Sequence, residues 1–413
     1  MSENGSPALA PVVPGNAVVP GHVVAATEYL AALQPALDEV IVPAAEDVDR
    51  EHRFPREGVQ ALIDAGLGGL LIPREFGGQD AGLVVYAEVL ARLAAACGST
   101  STVYMTNLHC AHPIVLEGRP DQQRRWVPAL ASGQAFGATA LTETEAGSDV
   151  ASMRTFARRE GDSYVINGSK MFISNGDVAD VLVLFATVDP SLGRDGITAF
   201  LLDTAELTGF SVGRPMDKLG QRGASTVPLS FDNCRIPADA VLGEVGRGWA
   251  VLLKAVLRSR ISAAAQGVGF ATGALDTAVA YSARHGLLTG RNRAAQDLQF
   301  ELAAIRAEIT AARAMLLNAC AEADAIADAG GADPTPLLAE VKLHCTRIGV
   351  QVAARCLELL GGEADRLDLG LERRLRDAKI TEIYDGTNQV QSMLIARELR
   401  FSPAARSASG PGT

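Results

Sequence analysis

Tyr384-Asp385-Gly386-Thr387 places a phenol, a carboxylate and a hydroxyl within four residues of a 413-residue chain. A helical run from Leu371 to Ile383 leads into it. Gly386 readily adopts the backbone angles that end a helix. A second apolar-periodic run starts near Thr387, a residue type suited to an N-cap. One acid side chain is thus set at a helix-to-helix break. Taken alone, the tetrapeptide also reads as an ordinary solvated turn. Two other segments carry polar chemistry. Leu141-Thr-Glu-Thr-Glu-Ala-Gly-Ser-Asp149 is rich in small and hydroxyl-bearing residues. Thr142 and Ser148 can each donate and accept a hydrogen bond, so a planar polar ligand could approach this backbone; a plain connecting loop fits equally. Phe172-Ile-Ser174 sets an aromatic face two residues from a hydroxyl, enough to cover a flat ring and bond its edge, or simply to end a half-buried strand. No G-x-G-x-x-G links a strand to a helix, so a dinucleotide would not be held by a Rossmann turn. Gly243-Glu-Val-Gly-Arg-Gly248 has the glycines but runs from a loop into a helix.

The elements that must position these residues fall into three stretches. Residues 1–24, rich in Ala, Pro, Val and Gly, are expected to form a loose tail. Helical periodicity fills 25–135, broken by the turn at Pro73-Arg-Glu-Phe-Gly-Gly78. Short β-rich runs occupy 136–245: Tyr164 to Ile173 around Asn167-Gly168, which signals a hairpin, then Val181 to Val188, Ile197 to Leu202 and Val227 to Phe231. They predict a small sheet or barrel. From Trp249 the helical period returns. Ile305, Ile309, Ala312 and Leu316 mark one face of a long helix, and Gly361-Gly362 closes another. Four long helices within 246–400 predict a bundle. Residues 401–413 form a second expected tail. The fold class is mixed and mainly α.

Composition excludes several functions. A net charge of −11 argues against a nucleic-acid binder. No apolar run reaches the length of a membrane span. The first 49 residues hold no Lys or Arg, which removes the basic marks of secretory and mitochondrial leaders. The six cysteines are scattered with no C-x-x-C, as in a reduced, cytoplasmic protein. His109, Cys110 and His112 lie close together, but no second ligand cluster accompanies them, and no metal is expected.

From Ala25 to Arg400 the chain resembles the acyl-CoA dehydrogenase family. The resemblance rests on markers in order: Pro73 to Gly78, Leu141 to Asp149, Asn167-Gly-Ser-Lys-Met-Phe-Ile-Ser-Asn-Gly176, Lys218-Leu-Gly-Gln-Arg-Gly-Ala-Ser-Thr226, Leu242 to Gly248, and Arg376 to Gln391. It implies a helical N-terminal domain, a β-barrel middle domain and a C-terminal four-helix bundle. It also implies FAD between domains and across a subunit interface, in a homodimer or homotetramer served by an electron-accepting flavoprotein. Thr142 and Ser174 match hydroxyls at the flavin edge, and Phe172 matches an aromatic over the ring. Thr387 and Gln389 match positions near the cofactor, and Gly361 and Gly362 match the pair at its adenosine end. Arg260 and Tyr384 match positions near the thioester, and Ser148 one near the pantetheine arm. Asp385 matches the base that takes the α proton of an acyl thioester while the β hydride goes to flavin N5.

The departures from the family pattern are specific. Asp385 replaces a usual Glu and is one methylene shorter. His285-Gly-Leu-Leu-Thr289 stands where an Arg-x-x-Phe-Gly meets a neighbouring subunit's flavin, aligned without a gap from Tyr281 to Gln296, which lies in the same cofactor segment. Loss of that cation weakens pyrophosphate binding unless Arg284 or Arg291 compensates. Glu358 replaces an amide near the adenosine. Leu257 replaces an acidic contact to the substrate arm, so the carrier is CoA or a carrier protein. Two other classes stay open: a flavin monooxygenase on the same fold, and a non-catalytic partner subunit.

Overall fold

The computed structural model describes residues 20–289, 293–329 and 334–400. The rest of both expected tails, and Arg291, lie outside the described residues. Six helices come first: α1 (Pro20–Ala36), α2 (Val42–Arg50), α3 (Arg56–Asp64), α4 (Gly82–Ala96), α5 (Gly98–Glu117) and α6 (Pro120–Ser132). A π-helical turn, Leu37–Ile41, joins α1 to α2. Between α3 and α4 the Pro73–Gly78 turn is a single 3-10 turn, Arg74–Phe76, closed by left-handed Gly77. Helix α5 is buried along nearly its whole length and serves as the floor on which the other layers rest.

The middle region is one eight-stranded sheet. Its strands are β1 (Gly137–Ala140), β2 (Phe156–Glu160), β3 (Ser163–Ser174), β4 (Val181–Thr187), β5 (Ile197–Asp203), β6 (Phe210–Val212), β7 (Thr226–Pro237) and β8 (Val241–Leu242). They run in the order β6-β7-β3-β2-β4-β5-β8, with β1 parallel to β4. Strand β4 is buried on both faces because the period of two divides it cleanly. Val181, Val183 and Phe185 join the helical core, while Leu182, Leu184 and Ala186 join a separate core of the sheet with Tyr164, Phe200 and Phe231.

One strand prediction is corrected. Asn167-Gly168 is not a hairpin turn: β3 runs straight through it. The ladder to β7 slips there, between Ile166 and Gly168. Gly168 has φ 146°, and a Cβ on it would come within 2.7 Å of Thr155. The glycine therefore marks a bulge under a close backbone. The real hairpin is two residues long, Gly161-Asp162 between β2 and β3, with Gly161 at φ 60°.

The C-terminal region is a helical bundle of α7 (Gly248–Arg284), α8 (Arg293–Ala329), α9 (Thr335–Leu360), α10 (Leu371–Lys379) and α11 (Asn388–Arg400). Three of these are long, not four. The last stretch is split into α10 and α11, both packed on α9, because positive-φ Asp385 and Gly386 break it. Helices α7 and α9 meet backbone to backbone: a Cβ on Gly267 would stand 2.4 Å from the Cys345 carbonyl oxygen. That close approach fixes the height of α7, which carries much of the site. Ile305, Ile309, Ala312 and Leu316 are all buried, as their spacing predicts.

Candidate active site

Asp385 has φ 55° and Gly386 φ 86°. Asp tolerates the left-handed region better than longer acids do. This backbone turns the side chain back toward α7 and α9 rather than into solvent. Thr387 then caps α11, its Oγ1 accepting from Val390 N at 3.2 Å. Asp385 is half-buried, yet its Oδ2 is shielded and accepts no hydrogen bond within the chain. Burial pushes its pKa up to about 7, against the pull of Lys342, a Ser259 hydrogen bond and Arg260. Ser259 and Arg260 are buried on α7. Lys342, fully buried on α9, spends its Nζ on Asn388 Oδ1 at 3.0 Å. Its own pKa falls to about 8, by burial.

Tyr384 turns the other way. Its hydroxyl donates to Gln266 Oε1, and Gln266 Nε2 donates to Ser101 Oγ at 2.7 Å and Thr102 Oγ1 at 3.0 Å. Thr102 donates to Gln221 Oε1 at 2.6 Å, and Gln221 N donates to Asp377 Oδ1. This buried chain ties the break to α5, α7 and the loop before β7. Asp377 is a second carboxylate raised by burial, to about 6. Its Oδ1 accepts from Gln221 N and its carbonyl from Gln221 Nε2 at 3.1 Å, so it is tied into that network, whereas Asp385 Oδ2 accepts no hydrogen bond within the chain.

The 141–149 loop lies against β3. Thr142 O accepts from Met171 N at 2.8 Å, next to Phe172. Phe172 has φ 61° and is 61% exposed, at a second slip in the β3–β7 ladder. Thr142 and Ser174 are half-buried; Ser148 is exposed. The clamp holding this loop has no counterpart in the reading of the sequence. Lys170 Nζ, buried, donates to Leu141 O at 2.9 Å and Glu143 Oε1 at 2.8 Å. Glu143 also accepts from Arg154 N and Thr155 N at 2.6 and 2.9 Å. Lys170 and Lys342 each occupy an inward position of an otherwise apolar period, which is the signal that could have found them.

The remaining predicted residues lie elsewhere. His285 caps the far end of α7, stacked on Tyr281 at 4.1 Å. Gln296, Glu358 and Gln389 are exposed. Gly361 ends α9 at φ 57°, and neither it nor Gly362 has an atom within 4 Å of a built Cβ. Tyr281 interacts with Glu363, so the His285 end of α7 adjoins the Gly361–Gly362 turn. Twenty-five residues of helix, roughly 38 Å, separate His285 from Arg260. Within one chain those two ends cannot touch the same ring. His109 Nε2 bonds Ser262 Oγ at 2.8 Å, and the described residues contain no group of three metal-ligating side chains. No described helix is long and apolar enough to cross a membrane.

Three family models match: the N-terminal domain of acyl-CoA dehydrogenases over 26–134, the middle domain over 138–234 and the C-terminal domain over 246–400. The Mycobacterium tuberculosis protein named "Probable acyl-CoA dehydrogenase FadE25" is 37% identical over 372 residues, covering 90% of this chain and 94% of its own. Butyryl-CoA dehydrogenase from Megasphaera elsdenii superposes with a TM-score of 0.84 at 30% identity, over 91% of this chain and 98% of that one. The prolyl acyl carrier protein oxidase AnaB gives 0.83 at 26% identity, over 93% and 100%. With its three regions matched in order, the chain belongs to the acyl-CoA dehydrogenase family.

Proposed function

We propose that the protein is an FAD-dependent dehydrogenase that introduces an α,β double bond into an acyl thioester, with Asp385 as the base. One observation carries this reading: a carboxylate with a shielded, unpartnered oxygen and a pKa of about 7. A general base works best when its pKa lies near the working pH. The residues present fit a flavin. Phe172 offers an exposed ring face, and the half-buried Thr142 and Ser174 offer hydroxyls on the same strand-and-loop pair. FAD, when bound, supplies the two-electron acceptor for the β hydride.

The chain's own residues do the rest. Asp385 Oδ2 takes the α proton. Tyr384, fixed by Gln266, and Arg260 line the thioester end, and Ser148 meets the pantetheine arm. Thr142 and Ser174 hold the ring edge, and Phe172 covers its face. Thr387 and Gln389 contact the cofactor from the α11 side. His285, Gln296, Glu358, Gly361 and Gly362 serve a flavin held by a neighbouring subunit, in a homodimer or homotetramer. A cytoplasmic electron-accepting flavoprotein completes the cycle. Likeness to a carrier-protein oxidase supports carrier-protein thioesters as substrates beside acyl-CoA.

The test is anaerobic titration of the flavin absorbance with a panel of acyl-CoA and acyl-carrier-protein thioesters. Wild-type protein should be yellow and bleach with at least one of them. Asp385→Asn should stay yellow and bleach about 10²–10⁴-fold more slowly. An Asp385→Asn protein that bleached at the wild-type rate would remove Asp385 as base. Protein that is colourless and cannot be reconstituted with FAD would remove the cofactor.

A further inference from the structure

One face of α7 is polar where an acyl pocket would be expected to be greasy. Arg258, Ser262 and Gln266 follow one another at four-residue spacing, with Ser259 alongside. Gln266 and Ser259 belong to the reacting end, through Tyr384 and Asp385. Ser262 lies beyond them. Its Oγ is 2.7 Å from Tyr86 Oη on α4 and 2.8 Å from His109 Nε2 on α5. All three side chains are buried or nearly so, and Ser262 also donates to the Arg258 carbonyl at 3.1 Å. The Arg258 guanidinium comes next, close enough for its charge to reach Tyr86, His109 and His112. Tyr86 stands between the two ends, since the charges of both Asp385 and Arg258 reach its hydroxyl.

Among the described residues, no hydrogen bond or ion pair engages this guanidinium. Asp324 and Asp80 attract it at longer range. Asp324 Oδ2 already accepts from Leu83 N at 2.8 Å, at the start of α4. His109 is held neutral, its pKa lowered to about 4 by burial and by Arg258. Lys254, the other cation that reaches His112, is paired with Glu117 at 2.6 Å, so the positive charge left without an ion-pair partner in this corner is that of Arg258. A saturated chain end pushed here would strip water from a guanidinium and return no partner, and such a loss outweighs the gain from a buried methyl group. A carboxylate would instead pair with the guanidinium in charge-assisted hydrogen bonds.

We propose that the acyl group of the substrate ends in a carboxylate, that Arg258 binds it, and that Tyr86, Ser262 and His109 line the path from Asp385 to it. This assignment rests on the thioester-dehydrogenase reading and narrows it to dicarboxylic acyl thioesters. Tyr86, His109 and Arg258 are specificity residues and take no part in proton transfer.

The test compares glutaryl-CoA with pentanoyl-CoA on the holoenzyme. Both have five acyl carbons; one ends in carboxylate, the other in methyl. A site built around a polar group rejects the analogue lacking it, and kcat/KM should favour glutaryl by about 10²-fold or more. Arg258→Met should abolish that preference. Equal or better use of pentanoyl-CoA by wild-type protein would overturn the proposal while leaving the dehydrogenase reading intact. Retention of the glutaryl preference in Arg258→Met would overturn the role of Arg258. If neither thioester reduces the flavin, the wider thioester panel decides the dehydrogenase reading. Calorimetric Kd values for the two then decide the carboxylate site alone: tighter glutaryl binding supports it and equal binding overturns it.

Discussion

Glu143 and Asp385 are both shielded carboxylates within reach of a buried lysine, and they have opposite fates. Around Glu143 every acceptor is used: Lys170 Nζ at 2.8 Å and two backbone N–H groups. Burial alone would raise its pKa, but Lys170 and those donors outweigh it, so the carboxyl sits below its usual range. Around Asp385 the lysine is turned aside. Lys342 is bonded to Asn388, and Oδ2 is left with no partner. Burial then wins, and the pKa rises to about 7. Satisfied donors make the first group a rivet for the 141–149 loop. An oxygen left without a donor suits the second to the base role proposed for it. Burial is common to both, so what separates structure from chemistry here is the count of hydrogen bonds.

The contrast can be broken from either side. Lys170→Met leaves Glu143 buried beside two amides with no cation. Removing one partner of a buried pair costs about 3–5 kcal/mol, and the loss should appear in the denaturation midpoint. Glu143→Gln keeps the shape and should cost less, although it leaves the Lys170 cation without its anion. Lys342→Met acts on the other carboxylate. It removes a cation that holds the Asp385 pKa down, so the pH–rate profile should move to higher pH, with a smaller loss of stability from the Asn388 contact. If that profile stays in place, Lys342 does not tune the base. The smallest effect is expected from Tyr384→Phe. It deletes one hydrogen bond to Gln266 and should cost about 1 kcal/mol in stability.

Much of this is legible in the amino-acid sequence. The break at Asp385-Gly386, the Thr387 cap and the end of α9 at Gly361 follow from residue type alone, because caps and left-handed turns are local chemistry. The apolar face of α8 followed from its period. What failed was also local. Asn167-Gly168 carries a hairpin signature, but the glycine is required by Thr155 lying against the strand, a contact brought by the fold and not by neighbours in sequence. The Lys170–Glu143 clamp and the Lys342–Asp385 neighbourhood join residues 27 and 43 positions apart, counted from their numbers. Only a lysine at an inward position hinted at either. The polar row on α7 was hidden for the same reason: Tyr86 and His109 come from other helices.

The central claim is that Asp385 acts as a base made reactive by burial with one oxygen left unpartnered. The most direct test is the pH dependence of anaerobic flavin reduction by a thioester that bleaches the wild-type protein. A base must be unprotonated to act, and burial raises this one, so activity should be lost as pH falls through about 7. Below that point the rate should drop about tenfold per pH unit, and above it the rate should level off. A rate that stays flat down to the ordinary aspartate range near pH 4 would contradict the account.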